Sequence, residues 1–432
     1  MNAEIGNRSE SATSLHRVLG LVEVTAGGVG IIIGAGIYVL LGEATAHAGP
    51  LVWVAFLMAA VLSALTGLSY AELSSMFPSA AGEYEYTRQA MPEWVAFAVG
   101  WTMILGLVVA AATVSIGFAR YLGYFVDVGA RWASVGLLAA VSCVAVLGVK
   151  QSARLTVGLS AVQVGGLMLV AAIGLPHVGE VDLLSGPGLG GVLGAAALVF
   201  FAFIGFDEVI TLAEETRDPT RTVPRALLLA LGLSTVLYVA VAVAAVSVLG
   251  AGPLAASPRP LADVMAHDLG DRGATVVAAI AVITTTNTTL LALTAASRVM
   301  YGMAKAGAMP RALGRVNPSR RTPTRAITAV AIVAAAFAIF GDFTVIAAVT
   351  DFAVSVVFVA VNGTVIILRR TRPDLPRPFA VAWAIRGVPV LPLLGLGSVA
   401  LMMTHLEPLA IGLGMAACGL GLAVGWLLRA WR

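Results

Sequence analysis

Asp207, Glu208 and Asp351 are carboxylic acids set within apolar runs long enough to cross a bilayer. Burying an ionisable group at that depth is costly, so such residues are functional candidates by default. Each can hold a cation or carry a proton. A second chemistry is written in the backbone. "GGVGIIIGAGIY" (27–38) places Gly27, Gly28, Gly30, Gly34 and Gly36 in the first apolar run, and each interior glycine costs a helix about 1 kcal/mol relative to alanine. A span that comes apart exposes N–H and C=O groups, tolerated in hydrocarbon only where they line a cavity or are buried in protein. Free N–H groups at a half-helix N-terminus favour a carboxylate, and free carbonyls favour a cation or an ammonium group. "GLGGVLGAAALVFFAFIGFDEV" (188–209) is a second breakable run, disturbed by Gly205 and the Asp207–Glu208 pair. Two facing breaks fit a zwitterion with both charges on one carbon, an α-amino acid. The competing reading of Gly30 and Gly34 is a G-x-x-x-G face that packs helices together. A nucleotide loop is excluded, because Ile33 falls where the last glycine of G-x-G-x-x-G belongs and no strand precedes it.

The elements that must position these groups follow from composition. The chain has 432 residues, 59% of them apolar and 11% charged, with a mean hydropathy of +0.95. Soluble domains carry about 25% charged residues, so this is an all-α membrane protein. Apolar stretches of spanning length predict twelve transmembrane helices: 20–41, 48–69, 94–118, 131–148, 154–175, 190–212, 226–250, 274–300, 326–341, 343–367, 387–405 and 408–428. With the N-terminus inside, only Arg120, Arg131, Arg259 and Arg272 of the 26 Lys and Arg residues fall on outer connections. That asymmetry predicts both termini in the cytoplasm. The net charge of +3 reflects this bias and implies no nucleic-acid partner.

The polar N-terminus lacks the pattern of a signal peptide. The longest polar pieces, 78–94, 214–226 and 304–326, all fall on the cytoplasmic side, and none reads as a separate domain. Cys143 and Cys418 lie inside apolar runs and read as packing residues. His16, His47, His177, His267 and His405 are scattered over connections and span ends, with no H-E-x-x-H and no serine-nucleophile motif. An enzyme is therefore disfavoured, and no cofactor or metal site is expected. No ATP-binding motif appears, so a gradient must drive any transport. The two breakable runs lie five spans apart, as a five-plus-five inverted repeat predicts, and such breaks point to a midplane substrate site.

Four segments in order carry a family resemblance: "GGVGIIIGAGIYVLLG" (27–42), "FFAFIGFDEVITLAEETRDPTRTVPRA" (200–226), "SRVMYGMAKAGAMPRALGRVNPSRRTPTRAI" (297–327) and "LRRTRPDLPRPF" (368–379). Together they resemble the amino acid–polyamine–organocation transporters. The resemblance covers nearly the whole chain and implies a single domain over 1–432 with a LeuT-type core of spans 1–10 (about 20–367). Spans 11 and 12 (about 387–428) would be peripheral. Carried onto this sequence, it implies that the N–H groups of Ala35 and Gly36, beside Gly34, hold the substrate carboxylate. Carbonyls of Ile32, Phe201 and Ile204 would take the ammonium group. Phe201 matches an aromatic lid over the substrate, with Phe203 beside it.

Two departures bear on substrate and coupling. Span 3, "GWTMILGLVV" (100–109), is similar to the cationic amino acid branch but has Gly106 where that branch carries Glu, and Leu107 where it carries Tyr. A cation without an anionic partner in a desolvated pocket is heavily penalised. Met103, Ile104 and Leu107 instead imply an apolar subsite for small or branched neutral amino acids, unless another helix supplies the anion. In span 5, Gln163 stands where proton-coupled relatives often carry a lysine, and Gln does not titrate. Asp207 matches a commonly acidic position and is the leading candidate for proton coupling. Asp351 departs from the expected small polar residue; a cap or interfacial role competes with coupling. Thr288 and Thr289, in "TTTNTTLLALT" (284–294), are candidates for sodium. The expected activity is secondary active transport of amino acids across the cytoplasmic membrane. The alternatives are an amino acid exchanger and a ligand-binding membrane sensor without flux.

Overall fold

The computed structural model describes residues 19–430, apart from 79–81, 148, 318, 319, 321, 386 and 387. The polar segment 1–18, and with it His16, lies outside the described residues. The architecture is helical, and its only strands among the described residues are a two-residue antiparallel pair, Ala384–Ile385 with Val388–Pro389. In chain order the helices are α1 (Leu21–Ile32), α2 (Gly36–Ala48), α3 (Val52–Met76), α4 (Gly82–Ala90), α5 (Glu93–Leu122), α6 (Ala130–Leu147), α7 (Val149–Gly174) and α8 (Leu189–Val199). After them come α9 (Pro219–Leu249), α10 (Ala251–Ala256), α11 (Pro260–Lys305), α12 (Thr324–Phe340), α13 (Phe343–Thr371), α14 (Val390–Met403) and α15 (Pro408–Ala430).

Nine helical stretches among the described residues are long and apolar enough to cross a membrane. The count differs from the twelve apolar runs for two physical reasons. The first run is broken, and its second half continues through a 3-10 turn (Gly49–Leu51) into α3, so Gly36–Met76 forms one stretch. The helices α1, α12 and α14 are apolar but short, at 12, 17 and 14 residues.

Both breaks fall where the glycines lie. Between α1 and α2 the chain leaves helical geometry at Ile33 (φ −74°, ψ 69°) and resumes it at Gly36. The second break follows α8, which passes into 3-10 turns over Phe200–Phe203 and Asp207–Glu215. Between those turns Gly205 takes φ +114°, and a Cβ there would lie 3.3 Å from the Ile31 carbonyl oxygen. Only glycine meets both demands comfortably.

Polar side chains fasten the helices where apolar packing alone sets no register. Asn362 of α13 donates to Thr66 Oγ1 (2.9 Å) and accepts from Ser69 Oγ (2.6 Å), both on α3. Glu72, also on α3 and 1% exposed, accepts from Arg369 Nε and Nη2 and from the Val381 N–H (2.8 Å). A charge buried this deeply persists only when its partners are in place, so the ion pair fixes the segment that follows α13.

Candidate functional site

The unwound stretch between α1 and α2 leaves backbone groups without helical partners, and three neighbouring helices answer them. From α7, Gln163 Nε2 donates to the Gly30 carbonyl (2.7 Å) and to the Ile33 carbonyl. From α9, the Tyr238 hydroxyl lies 2.7 Å from the Ile32 oxygen and 3.0 Å from the Ala202 oxygen, sharing its proton between the two breaks. From α11, Thr288 Oγ1 accepts from the Ala35 N–H at 3.1 Å. Gln163 and Tyr238 are fully buried, where an unpaired carbonyl would cost about 1–3 kcal/mol.

The two breaks touch through their backbones. A Cβ on Gly36 would stand 2.5 Å from Ala202 Cα. Gly36 opens α2, whose first N–H groups have no acceptor within their own helix. The Phe201 carbonyl accepts from the Ile204 N–H at 3.2 Å, Phe201 is buried, and Ile204 is half-buried. Phe203 is fully buried and packs edge-on to the Tyr238 ring, 5.2 Å between centroids. Gly34 lies against Thr288. The structure therefore gathers Ile32, Gly34, Ala35, Gly36, Phe201, Phe203, Ile204, Gln163 and Thr288 around one pair of breaks. Tyr238, which completes the set, was not singled out from the sequence; its signal there is a lone phenol inside an apolar run, which requires a polar partner when buried.

The remaining candidates lie further out. Met103 and Leu107 of α5 are buried, and a Cβ on Gly106 would meet Ala353 and Val354 of α13 at 3.4 Å. Gly106 thus adjoins α13, with room for a methyl group. Thr289 Oγ1 donates back to the Thr285 carbonyl (2.7 Å) within its own helix, an arrangement common for hydroxyls in spans. Asp351 is 1% exposed and both its carboxylate oxygens lack a hydrogen bond. It does not cap α13: that cap is Asp342, whose Oδ1 accepts from the N–H groups of Thr344 and Val345.

Asp207 is buried, and its Oδ1 accepts from the Gly205 N–H at 3.0 Å, closing the second break on itself. Glu208 is half-buried beside it. A third acid joins them from the polar segment 78–94, which reads in sequence as a cytoplasmic connection. Glu83 of α4 is 8% exposed and accepts from the Tyr70 hydroxyl at 3.1 Å. Tyr70 in turn packs edge-on to Phe206 (5.6 Å) at the break. Burial, and then the nearby Asp207 charge, push the Glu83 carboxyl up to about 7. The folded state therefore binds a proton that the unfolded chain releases between pH 4.5 and about 7. Stability contributed by the protonated form is lost as pH rises through that window. Glu83→Gln, which keeps an acceptor for Tyr70, should flatten the pH dependence of the melting temperature in detergent between pH 5 and 7. Parallel curves for the two proteins would contradict the assignment.

Comparison with known proteins decides the family. The amino acid permease family model matches residues 19–417. The chain belongs to the amino acid permease family. This permease is 32% identical to the branched-chain amino acid permease of Bacillus subtilis over 402 residues, covering 88% of this chain and 86% of that one. It is 30% identical to the methylthioribose transporter of the same bacterium, with 89% and 87% covered. It is also 30% identical to the vacuolar cationic amino acid transporter 4 of Arabidopsis thaliana, with 85% and 66% covered. Such permeases are multi-pass membrane transporters of amino acids, not enzymes.

Proposed function

We propose that this permease is a secondary active transporter for small or branched neutral amino acids. On this reading the whole chain, 1–432, is one transport domain of twelve spans in the cytoplasmic membrane, with both termini in the cytoplasm. Here α1–α2 and α8 with its 3-10 turns are the corresponding broken spans of a five-plus-five inverted repeat. The observation that carries it is the contact of the two breaks at Gly36 and Ala202, which brings the opening N–H groups of α2 close to the carbonyls of the second break. The substrate carboxylate meets Ala35 and Gly36, with the Ala35 N–H passing from Thr288 to the substrate. The ammonium group meets the carbonyls of Ile32, Phe201 and Ile204, under Phe201.

Gly106, buried Met103 and buried Leu107 support a neutral side chain, as does similarity to a branched-chain permease. One observation favours a second reading. Asp351, on the helix that adjoins Gly106, has two unpartnered oxygens and is a carboxyl group that a cationic substrate could ionise and pair with, the class named for the plant relative. Coupling on either reading is to protons, through Asp207 with Glu83 nearby; Gln163 holds the broken span without titrating. Sodium coupling through Thr288 is the alternative, and Thr289 supports it less, because its hydroxyl is engaged within α11.

Binding to purified protein from a panel of amino acids separates the readings. Leucine, valine and alanine should bind and compete with one another, and arginine and lysine should compete poorly. Gly106→Glu should shift preference toward the cations. Tight lysine binding by the unmodified protein, lost in Asp351→Asn, would overturn the neutral reading in favour of the second.

A further inference from the structure

His177 and His267 are 90 residues apart in sequence, yet their rings lie 5.7 Å apart, edge to face. His177 ends the 3-10 turn (Leu175–His177) that follows α7. His267 and Asp268 lie on the first segment of α11, just before Gly270 kinks that helix at φ +61°. The Asp268 carboxylate sits between the two imidazoles. Its Oδ2 is 2.8 Å from His177 Nε2, and its Oδ1 is 2.7 Å from His267 Nδ1. One donor atom from each of the three residues lies within 4.8 Å of the others. Ligand atoms around a tetrahedral ion, at about 2.0–2.2 Å from it, stand roughly 3.3 Å apart, so small side-chain rotations close the set.

The other face of His177 is also arranged. Its Nδ1 lies 3.2 Å from Glu180 Oε2. A histidine that binds a metal through one nitrogen commonly donates its other N–H to a carboxylate, which fixes the tautomer and orients the ring. The His177 side chain is 20% exposed, that of Asp268 24% and that of His267 49%, so an ion can reach the cluster from water.

We infer that His177 Nε2, His267 Nδ1 and the Asp268 carboxylate form a site for a divalent transition-metal ion of the Zn2+ class, with Glu180 as its orienting carboxylate. Two imidazoles and one carboxylate suit such an ion better than Ca2+ or Mg2+, which prefer oxygen ligands throughout. Water fills the fourth position. The site has a mechanical consequence, because its ligands come from different elements. Residues 251–269 form a connector over α2, close enough that a Cβ on Gly42 would lie 3.1 Å from the carbonyl oxygens of both Leu254 and Ser257. A metal bridging His177 to His267 and Asp268 fastens this connector to the end of α7.

Calorimetric titration of the purified permease with Zn2+ alone tests the site independently of transport. One ion per chain should bind. His177→Gln and His267→Gln should each abolish binding, and Glu180→Gln should weaken it about tenfold or more. With Zn2+ present, amide hydrogen exchange should slow across 251–269 in the unmodified protein and not in His267→Gln. The site is overturned if no stoichiometric binding occurs, or if binding survives both histidine substitutions. Binding that leaves exchange in 251–269 unchanged would overturn the fastening of the connector.

Discussion

Gly36→Val should abolish substrate binding while the protein remains helical and soluble in detergent. A Cβ at this position stands 2.5 Å from Ala202 Cα and 2.7 Å from Ala202 Cβ. The obstruction includes backbone, which cannot turn aside as a flexible side chain can. Overpacking of this kind costs about 1–3 kcal/mol even for one methyl group, and every 1.4 kcal/mol is about tenfold in affinity. Gly36→Ala should therefore weaken binding about tenfold or more, and the branched valine should remove it. Gly165 of α7 supplies the control, because nothing lies within 4 Å of a Cβ placed there. Gly165→Ala should bind normally. If Gly36→Val binds leucine as the unmodified protein does, the breaks do not form the site.

The second large effect is expected at Gln163. Its amide nitrogen is the donor to the Gly30 and Ile33 carbonyls. Gln163→Leu leaves both in an apolar interior, at about 1–3 kcal/mol for each buried group left unpaired. The variant should melt well below the unmodified protein and bind substrate weakly. Gln163→Lys is the informative partner. Its ammonium group carries three donors and can serve both carbonyls, and it removes the Gln163 Oε1 atom that is buried without a partner. That variant should recover much of the lost stability and add a pH dependence of binding to the one that Asp207 already confers on the unmodified protein. Equal loss in both variants would show that the side chain is needed for its shape and not for its donors.

The parts of this molecule legible in its sequence are those written locally. Glycines at 34, 36 and 205 lie where the spans come apart, because a helix interior disfavours glycine and a positive φ demands it. Apolar runs locate the helices, but they do not say that Gly36–Met76 continues through a turn. Partnerships across the fold left weaker traces. Gln163 was identified by its position, and its lack of charge was readable. That its amide would hold two freed carbonyls depended on how α7 lies against α1. Tyr238, Glu83 and Glu72 carry no such trace, because an isolated polar residue in a span or loop does not announce its partner. In sequence only the family resemblance distinguishes Asp207 from Asp351; the structure separates them further by the Gly205 N–H, whose hydrogen bond Asp207 accepts while both Asp351 oxygens lack one. His177 and His267 appeared scattered because the kink at Gly270 and the turn after α7, not sequence spacing, bring them together.

The most direct test of the central claim is uptake of labelled leucine into proteoliposomes holding the purified permease, with a proton gradient imposed. Saturable uptake should appear, neutral amino acids should compete, and an inward proton gradient should accelerate it. In Asp207→Asn, exchange should persist and the acceleration should be lost. Binding of leucine without any flux, in either direction and with or without the proton gradient, would contradict the account and leave a membrane protein that senses its ligand without moving it.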